Sequence, residues 1–284
     1  MNLFNHLLDI FDLKEVEENV YEARNLDIGS FSVYGGQVLA QSILAAYKTI
    51  AGKSLNSIHS YFLLMGDNSK PIKYSVTKVR DGKSFSVRRV KAWQGDKNIF
   101  IMAASFHKTE EGLTHQKSMP NVPQPESLTP FSEIFAEFAE KFQIKPKGFY
   151  AENGPIIFHP VERYNPFNPG KKPPLTHLWF KPNGVVPSEQ YLNDAFMAYA
   201  SDFSLLITAL LPHDVSFFKT PMKIASLDHA MWFHKPINAN DWHLYVVSSP
   251  FSGNARGFCQ GSIFNSGGDL VASVAQEGLI RIIE

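Results

Sequence analysis

The chain has 284 residues, 44% hydrophobic and 19% charged, enough for one large or two modest globular domains. Its 27 basic and 27 acidic residues cancel, which excludes a global field drawing it to nucleic acid or an anionic membrane. A lone cysteine, Cys259, excludes an internal disulfide framework and fits a reducing compartment, and no apolar run is long enough for a membrane span.

From Met1 to Asn19, Leu3, Leu7, Ile10 and Phe11 recur at helical spacing among Asp9, Asp12, Glu15, Glu17 and Glu18. That acidity predicts a docking helix rather than a secretory signal or transit peptide. The chain ends Arg281-Ile282-Ile283-Glu284, without a Ser-Lys-Leu peroxisomal address, so the expected location is cytoplasmic. An apolar stretch from Gly36 to Ala46 predicts a helix, followed by Ile58 to Leu64 and three more β-rich runs up to His107. Turn signals at Gly66-Asp67-Asn68, Asp81-Gly82 and Gly95-Asp96 make these runs an antiparallel meander.

Between Thr109 and Pro174 eleven prolines, Pro166 among them, break any long element. One helix survives there, Phe131 to Phe142, with Phe131, Ile134, Phe135 and Phe138 on a single face. The first pattern then repeats. A helix from about Glu189 to Leu211, ending before Pro212, precedes strands at Ile224 to His234, Trp242 to Ser249, Ala255 to Asn265 and Leu270 to Ile282. A long helix followed by a four-stranded antiparallel sheet, made twice, predicts an α+β double hotdog in which each sheet wraps its helix and the two join into one curved sheet. The domains are then 1–115, a proline-rich linker at 116–172, and 173–284, with a ligand cleft expected between the copies.

Familiar signatures are missing. No Gly-x-Ser-x-Gly elbow exists, and the triplets Gly52-Lys53-Ser54 and Gly82-Lys83-Ser84 have Tyr47 and Thr77 where a phosphate loop needs its first glycine. Neither His-Glu-x-x-His nor paired Cys-x-x-Cys occurs, so no metal or other cofactor is expected. What stands out is polar residues in apolar positions. Leu192, Ala195, Phe196, Tyr199, Phe203, Leu206 and Leu210 form a core stripe, and Asp202 falls about 60° from its centre, inside the protein or on a cavity wall. On the last strand Gln276 shares a face with Ala272, Val274, Gly278 and Ile280, so its amide needs buried partners, and Gly278 leaves room beside it. Ser226, Asp228 and His234 lie on a strand of poor alternation, where Ser226 alone says nothing. His59 is either a structural residue or a base. Arg80, Lys83, Arg88, Arg89 and Lys91 either form a solvated sheet face or grip phosphates.

Several long motifs, in order along the chain, resemble the type II acyl-CoA thioesterases: Val33-Tyr34-Gly35-Gly36-Gln37, His59-Ser60-Tyr61-Phe62, Arg80 to Phe85, Asp228 to His234, Ala255 to Phe258 and Leu270 to Gly278. The resemblance implies a double-hotdog enzyme hydrolysing fatty acyl-CoA to free fatty acid and CoA. It also implies a water held by Asp202, Ser226 and Gln276, with serine where some relatives carry threonine, and an assembly of two or more chains. His59, Arg88 and Gly278 are the expected substrate-binding positions, and acyl-CoA is the expected small-molecule partner. Two other classes are compatible with such a tunnel: an acyl-CoA binding protein without turnover, and a hydroxyacyl-thioester dehydratase using His59.

Overall fold

The computed structural model describes residues 3–165, 167–218 and 220–283; Met1, Pro166 and Glu284, named above, lie outside them. The N-terminal helix α1 (Leu3–Phe11) buries Leu7, Ile10 and Phe11 as their spacing predicts, with Phe4 rather than Leu3 as the fourth buried residue. After it come β1 (Lys14–Glu17) and β2 (Val20–Ala23), then α2 (Gly35–Tyr47) and the meander β3 (Ser54–Phe62), β4 (Ile72–Asp81), β5 (Phe85–Gln94) and β6 (Lys97–His107). The linker carries α3 (Phe131–Ala139) and β7 (Ile156–Pro160). The second half contains β8 (Leu175–Pro182), α4 (Gln190–Ser201), α5 (Ile207–Leu210), β9 (Met222–Ser226), β10 (Asp228–Phe233), β11 (His243–Gly253), β12 (Arg256–Asn265) and β13 (Leu270–Ile282).

All described strands join one antiparallel sheet in the order β1-β2-β4-β5-β6-β3-β10-β13-β12-β11-β8-β7, with β9 on β13. The order β3-β6-β5-β4 of the first half reappears as β10-β13-β12-β11 in the second. The halves meet where β3 pairs with β10, His59 facing Ala230, so the sheet is continuous and the fold is a double hotdog. Inside it α2 and α4 pack side by side and run antiparallel. The N-terminus of α2 meets the C-terminus of α4 through Gly36 and Asp202, and Tyr47 meets Asp194 at the other end. Leu39, Ile43, Ala195, Phe196 and Tyr199 are fully buried between helices and sheet, each large side chain contributing roughly 2 kcal/mol of transfer free energy.

The structure departs from the sequence reading in three places. The helix expected from Glu189 to Leu211 stops at Ser201, because Ser204 takes a left-handed conformation (φ 65°) and the chain restarts as the short α5. The strand expected over 224–234 is divided at Leu227, whose N–H turns to the Glu277 carbonyl (2.9 Å) and whose carbonyl accepts from Phe62 N–H (3.0 Å). Four short strands, β1, β2, β7 and β8, escape a pattern search. β1 is fully exposed and shows no alternation, and β7 ends in Pro160, a residue tolerated because it lies on the edge. The linker also covers the outer face of the second half, where Trp179 Nε1 donates to the Pro123 carbonyl (2.9 Å) above Leu244 and Phe264.

Candidate active site

Two glycines open α2, and both are there for close approach. A Cβ on Gly36 would lie 2.4 Å from the Tyr199 carbonyl oxygen, and one on Gly35 would lie 2.7 Å from Asp202 Oδ2. Without side chains, the start of α2 presses against the end of α4, and Gly36 N–H donates to Asp202 Oδ2 (2.9 Å). Asp202 therefore caps a helix 166 positions away in sequence. Its own helix dipole disfavours a carboxylate at the C-terminus, while that of α2 favours one at its N-terminus, so the carboxylate turns toward α2. Tyr34, whose hydroxyl donates to the Tyr199 carbonyl (3.0 Å), locks the two helix ends together.

The second oxygen of Asp202 meets the break between β9 and β10. Ser226 Oγ donates to Asp202 Oδ1 (3.2 Å), and Gln276 Nε2 on β13 donates to Ser226 Oγ (2.8 Å). Asp202, Ser226 and Gln276 thus form one unbroken chain of hydrogen bonds. Gln276 is 1% exposed, whereas Asp202 and Ser226 are half-buried. All three line a cavity of about 520 Å³ with Tyr34 and Gly35. Its apolar wall comes from Phe149, Phe203, Leu206, Ile207 and Phe218, and Lys145 and Lys147 stand at its edge. The linker adds Phe135, Lys145, Lys147, Phe149 and Tyr150 to this lining, a contribution that proline content concealed.

Behind Gln276 lies a residue that sequence reasoning missed. His229 is fully buried, with Nδ1 2.5 Å from Gln276 Oε1 and Nε2 3.0 Å from Ser201 Oγ. Burial holds its pKa below the ordinary histidine value, so the ring is neutral at physiological pH. It lies inside the Asp228 to His234 motif, but on a strand whose alternation did not reveal which side faced inward. Asp228 itself ties β10 to β13 by accepting from Glu277 N–H (2.7 Å).

The remaining expected positions lie elsewhere. His59 is exposed, with its ring edge-on to Trp232 at 5.2 Å, and does not reach the cavity, because its neighbours Ile58 and Ser60 take the inward positions. Arg88 is 2% exposed and bonds inward to Thr49, to the Arg80 and Val87 carbonyls and to Asp81 (2.7 Å), so no donor is left to grip a phosphate. Gly278 admits a side chain rather than a ligand, since a Cβ there would lie 2.2 Å from Leu206 Cδ1, part of the cavity wall. His234 is exposed, and its Nε2 lies 2.9 Å from Ser273 Oγ, away from these groups.

The continuous sheet and the antiparallel helix pair define a double-hotdog protein, with one polar cluster on the wall of a largely apolar cavity. Residues 23–107 match the family model of the acyl-CoA thioesterase N-terminal domain, and residues 152–279 that of acyl-CoA thioesterase. The chain is 37% identical to acyl-CoA thioesterase 2 of Haemophilus influenzae over all of this chain and 99% of that one. It is 33% identical to human acyl-coenzyme A thioesterase 8, covering 96% of this chain and 88% of that one. The crystal structure of an acyl-CoA thioesterase II from Mycobacterium marinum superposes with a TM-score of 0.80 at 34% identity, covering 98% of both chains. The chain belongs to the acyl-CoA thioesterase family and is an enzyme of that class.

Proposed function

We propose that this enzyme hydrolyses fatty acyl-CoA to free fatty acid and CoA with a water molecule held by Asp202, Ser226 and Gln276. The observation that carries the reading is the chain from Gln276 through Ser226 to Asp202, ending in a carboxylate on the cavity wall. Asp202 accepts a proton from the water as its oxygen attacks the thioester carbonyl carbon, general base catalysis of a positioned nucleophile. Ser226 and Gln276 hold the carboxylate and the water in line. The negative charge that develops on the carbonyl oxygen is stabilised by the backbone N–H of Gly35 at the start of α2, where the helix dipole adds to the hydrogen bond. The tetrahedral intermediate collapses by breaking the C–S bond, and the departing thiolate takes the proton back from Asp202. Products are the fatty acid and CoA thiol, with no acyl-enzyme formed.

The acyl chain lies along Phe149, Phe203 and Leu206, and the CoA phosphates meet Lys145 and Lys147. Gly278 contributes by letting Leu206 sit back from the cavity. The two hotdog halves, 1–115 and 173–284, act as one unit that the linker 116–172 completes. The cytoplasm is the expected compartment, consistent with one buried free thiol at Cys259 and with no described helix long and apolar enough to cross a membrane. Exposed Leu63, Leu64 and Met65 favour self-association into a homo-oligomer.

Asp202→Asn tests the base while keeping its shape. With a medium-chain acyl-CoA, release of free thiol by the folded variant should fall by about a thousandfold. Turnover at the parent rate would overturn the role of Asp202; ligand-dependent thermal stabilisation of the parent without any thiol release would make the protein a binder.

A further inference from the structure

The amide of Gln276 can point either way, and only one way serves the reading above. With Nε2 toward Ser226, the amide donates, the serine hydroxyl is left free to donate to Asp202, and every proton in the chain is directed at the carboxylate. With the amide rotated by half a turn, Oε1 would face Ser226 Oγ. The hydroxyl proton would then be drawn to the amide, and Asp202 Oδ1 would lose its donor. Nothing in the Gln276–Ser226 contact selects between these states, since a hydroxyl both donates and accepts.

The selection is made on the other side of the amide. His229 Nδ1 lies 2.5 Å from Gln276 Oε1, and an amide oxygen only accepts, so Nδ1 must carry the proton. Nε2 faces Ser201 Oγ at 3.0 Å, and that hydroxyl has a single proton to share between Nε2 and the Ala198 carbonyl at 2.9 Å. A neutral ring with its proton on Nδ1 accepts at Nε2 from the Ser201 hydroxyl, whose proton then turns from the Ala198 carbonyl to the ring. The opposite tautomer would set the Nδ1 lone pair against Oε1. His229 is 0% exposed, so water cannot substitute for either partner. With both nitrogens engaged, the ring is also not free to act as an acid or base on a substrate.

We infer that His229 is a positioning residue: by donating from Nδ1 to Gln276 Oε1 it holds the Gln276 amide with Nε2 toward Ser226, and so keeps the hydrogen-bond chain aimed at Asp202. The inference rests on the proposed roles of Gln276 and Asp202 and adds the group that sets their polarity. It also gives Ser201, one position before Asp202, a part in fixing the ring.

The tautomer can be read without substitution. A long-range ¹H–¹⁵N spectrum of the intact protein should show His229 with Nδ1 protonated and Nε2 bare; the Nε2–H tautomer would overturn the inference. Kinetics supply the second test. His229→Leu should lower kcat for acyl-CoA by about ten- to a hundredfold with KM within about threefold. His229→Asn, whose amide nitrogen takes the place of Nδ1, should restore most of the loss. In a Gln276→Ala background, His229→Leu should change kcat by less than about twofold, because the group it acts through is gone. Losses that multiply, or an Asn variant of parental melting temperature as slow as Leu, would overturn it. Gln276→Ala alone separates the two layers. If that variant turns over at the parent rate, the catalytic reading of Gln276 fails; if it is slow while folded His229→Leu is not, only the inference about His229 fails.

Discussion

At one end of the α2–α4 pair, α4 terminates in Asp202; at the other, α2 terminates in Lys48. The two ends are related by the internal repeat. His59 faces Ala103 on β6 just as Ala230 faces Ala275 on β13, and His59 and Ala230 face each other across the middle of the sheet. That register makes Ala104 the counterpart of Gln276, Ile58 of His229 and Leu55 of Ser226. All three are apolar and buried. The other end does hold a carboxylate, Asp194, but Tyr47 OH donates to its Oδ2 (2.6 Å) and Gln190 Nε2 to its Oδ1 (2.8 Å), leaving it 3% exposed. Burial raises its pKa to about 6. Asp202 is half-buried and borders a cavity of about 520 Å³. One scaffold thus carries an acid at each end of its helix pair: Asp194, closed in by Tyr47 and Gln190, and Asp202, more exposed and bordering the larger of the two cavities these acids line.

The sharpest way to break this contrast, after removal of the Asp202 charge, is to push the carboxylate off its site. Gly35→Ala puts a methyl 2.7 Å from Asp202 Oδ2 and 3.0 Å from the Phe62 ring. Displacing the base by a fraction of an ångström should lower kcat by about a hundredfold with the fold intact, read by thiol release and a thermal melt. An active Gly35→Ala would mean that the close approach of α2 to α4 matters for packing alone.

Ser226→Ala leaves Asp202 and Gln276 in place and deletes the hydroxyl between them. A loss in kcat of about tenfold is expected, and Ser226→Thr, which keeps the hydroxyl, should recover it. Equal rates for the alanine and threonine variants would remove Ser226 from the chain.

The smallest effect belongs to the silent end. Asp194 has a folded-state pKa raised from 3.8 to about 6, so the fold prefers the protonated acid. Its favourable contribution is present below pH about 4 and is lost as pH rises through about 6, on the order of 3 kcal/mol in all. Asp194→Asn keeps the acceptor for Tyr47 and lets Gln190 turn its oxygen to the new amide. It should leave kcat unchanged, melt a few degrees higher than the parent at pH 7.5, and flatten the dependence of melting temperature on pH between about 4 and 7. A variant less stable at neutral pH would show that the charged acid is tolerated there.

Much of this was legible in advance, for reasons that can be named. The strand from Leu270 to Ile282 was readable because inward and outward positions alternate through its middle, from Ala272 to Gly278, and the same alternation turned Gln276 inward. Asp202 was found by helical periodicity even though the helix ends one residue before it, since its position on the stripe is set by the turns that precede it. Arg88 could not be read this way: its basic neighbours made a solvated or phosphate-binding face, and only the approach of Thr49 and Asp81 shows that it points inward. His59 was singled out by type, but its partner is Trp232 on a strand from the other half.

By itself, then, the sequence determined the order of elements, the repeat and the inward polar positions, because hydrophobic periodicity acts over a few residues and repeats along each element. The tertiary structure alone decided that Ser226, His229 and Gln276 join Asp202 at one end while Leu55, Ile58 and Ala104 line the other. It also bent the linker over the cavity and ended α4 where its carboxylate meets Gly36. Those outcomes depend on contacts between groups up to 166 positions apart, whose hydrogen bonds and close approaches leave no periodic trace along the chain.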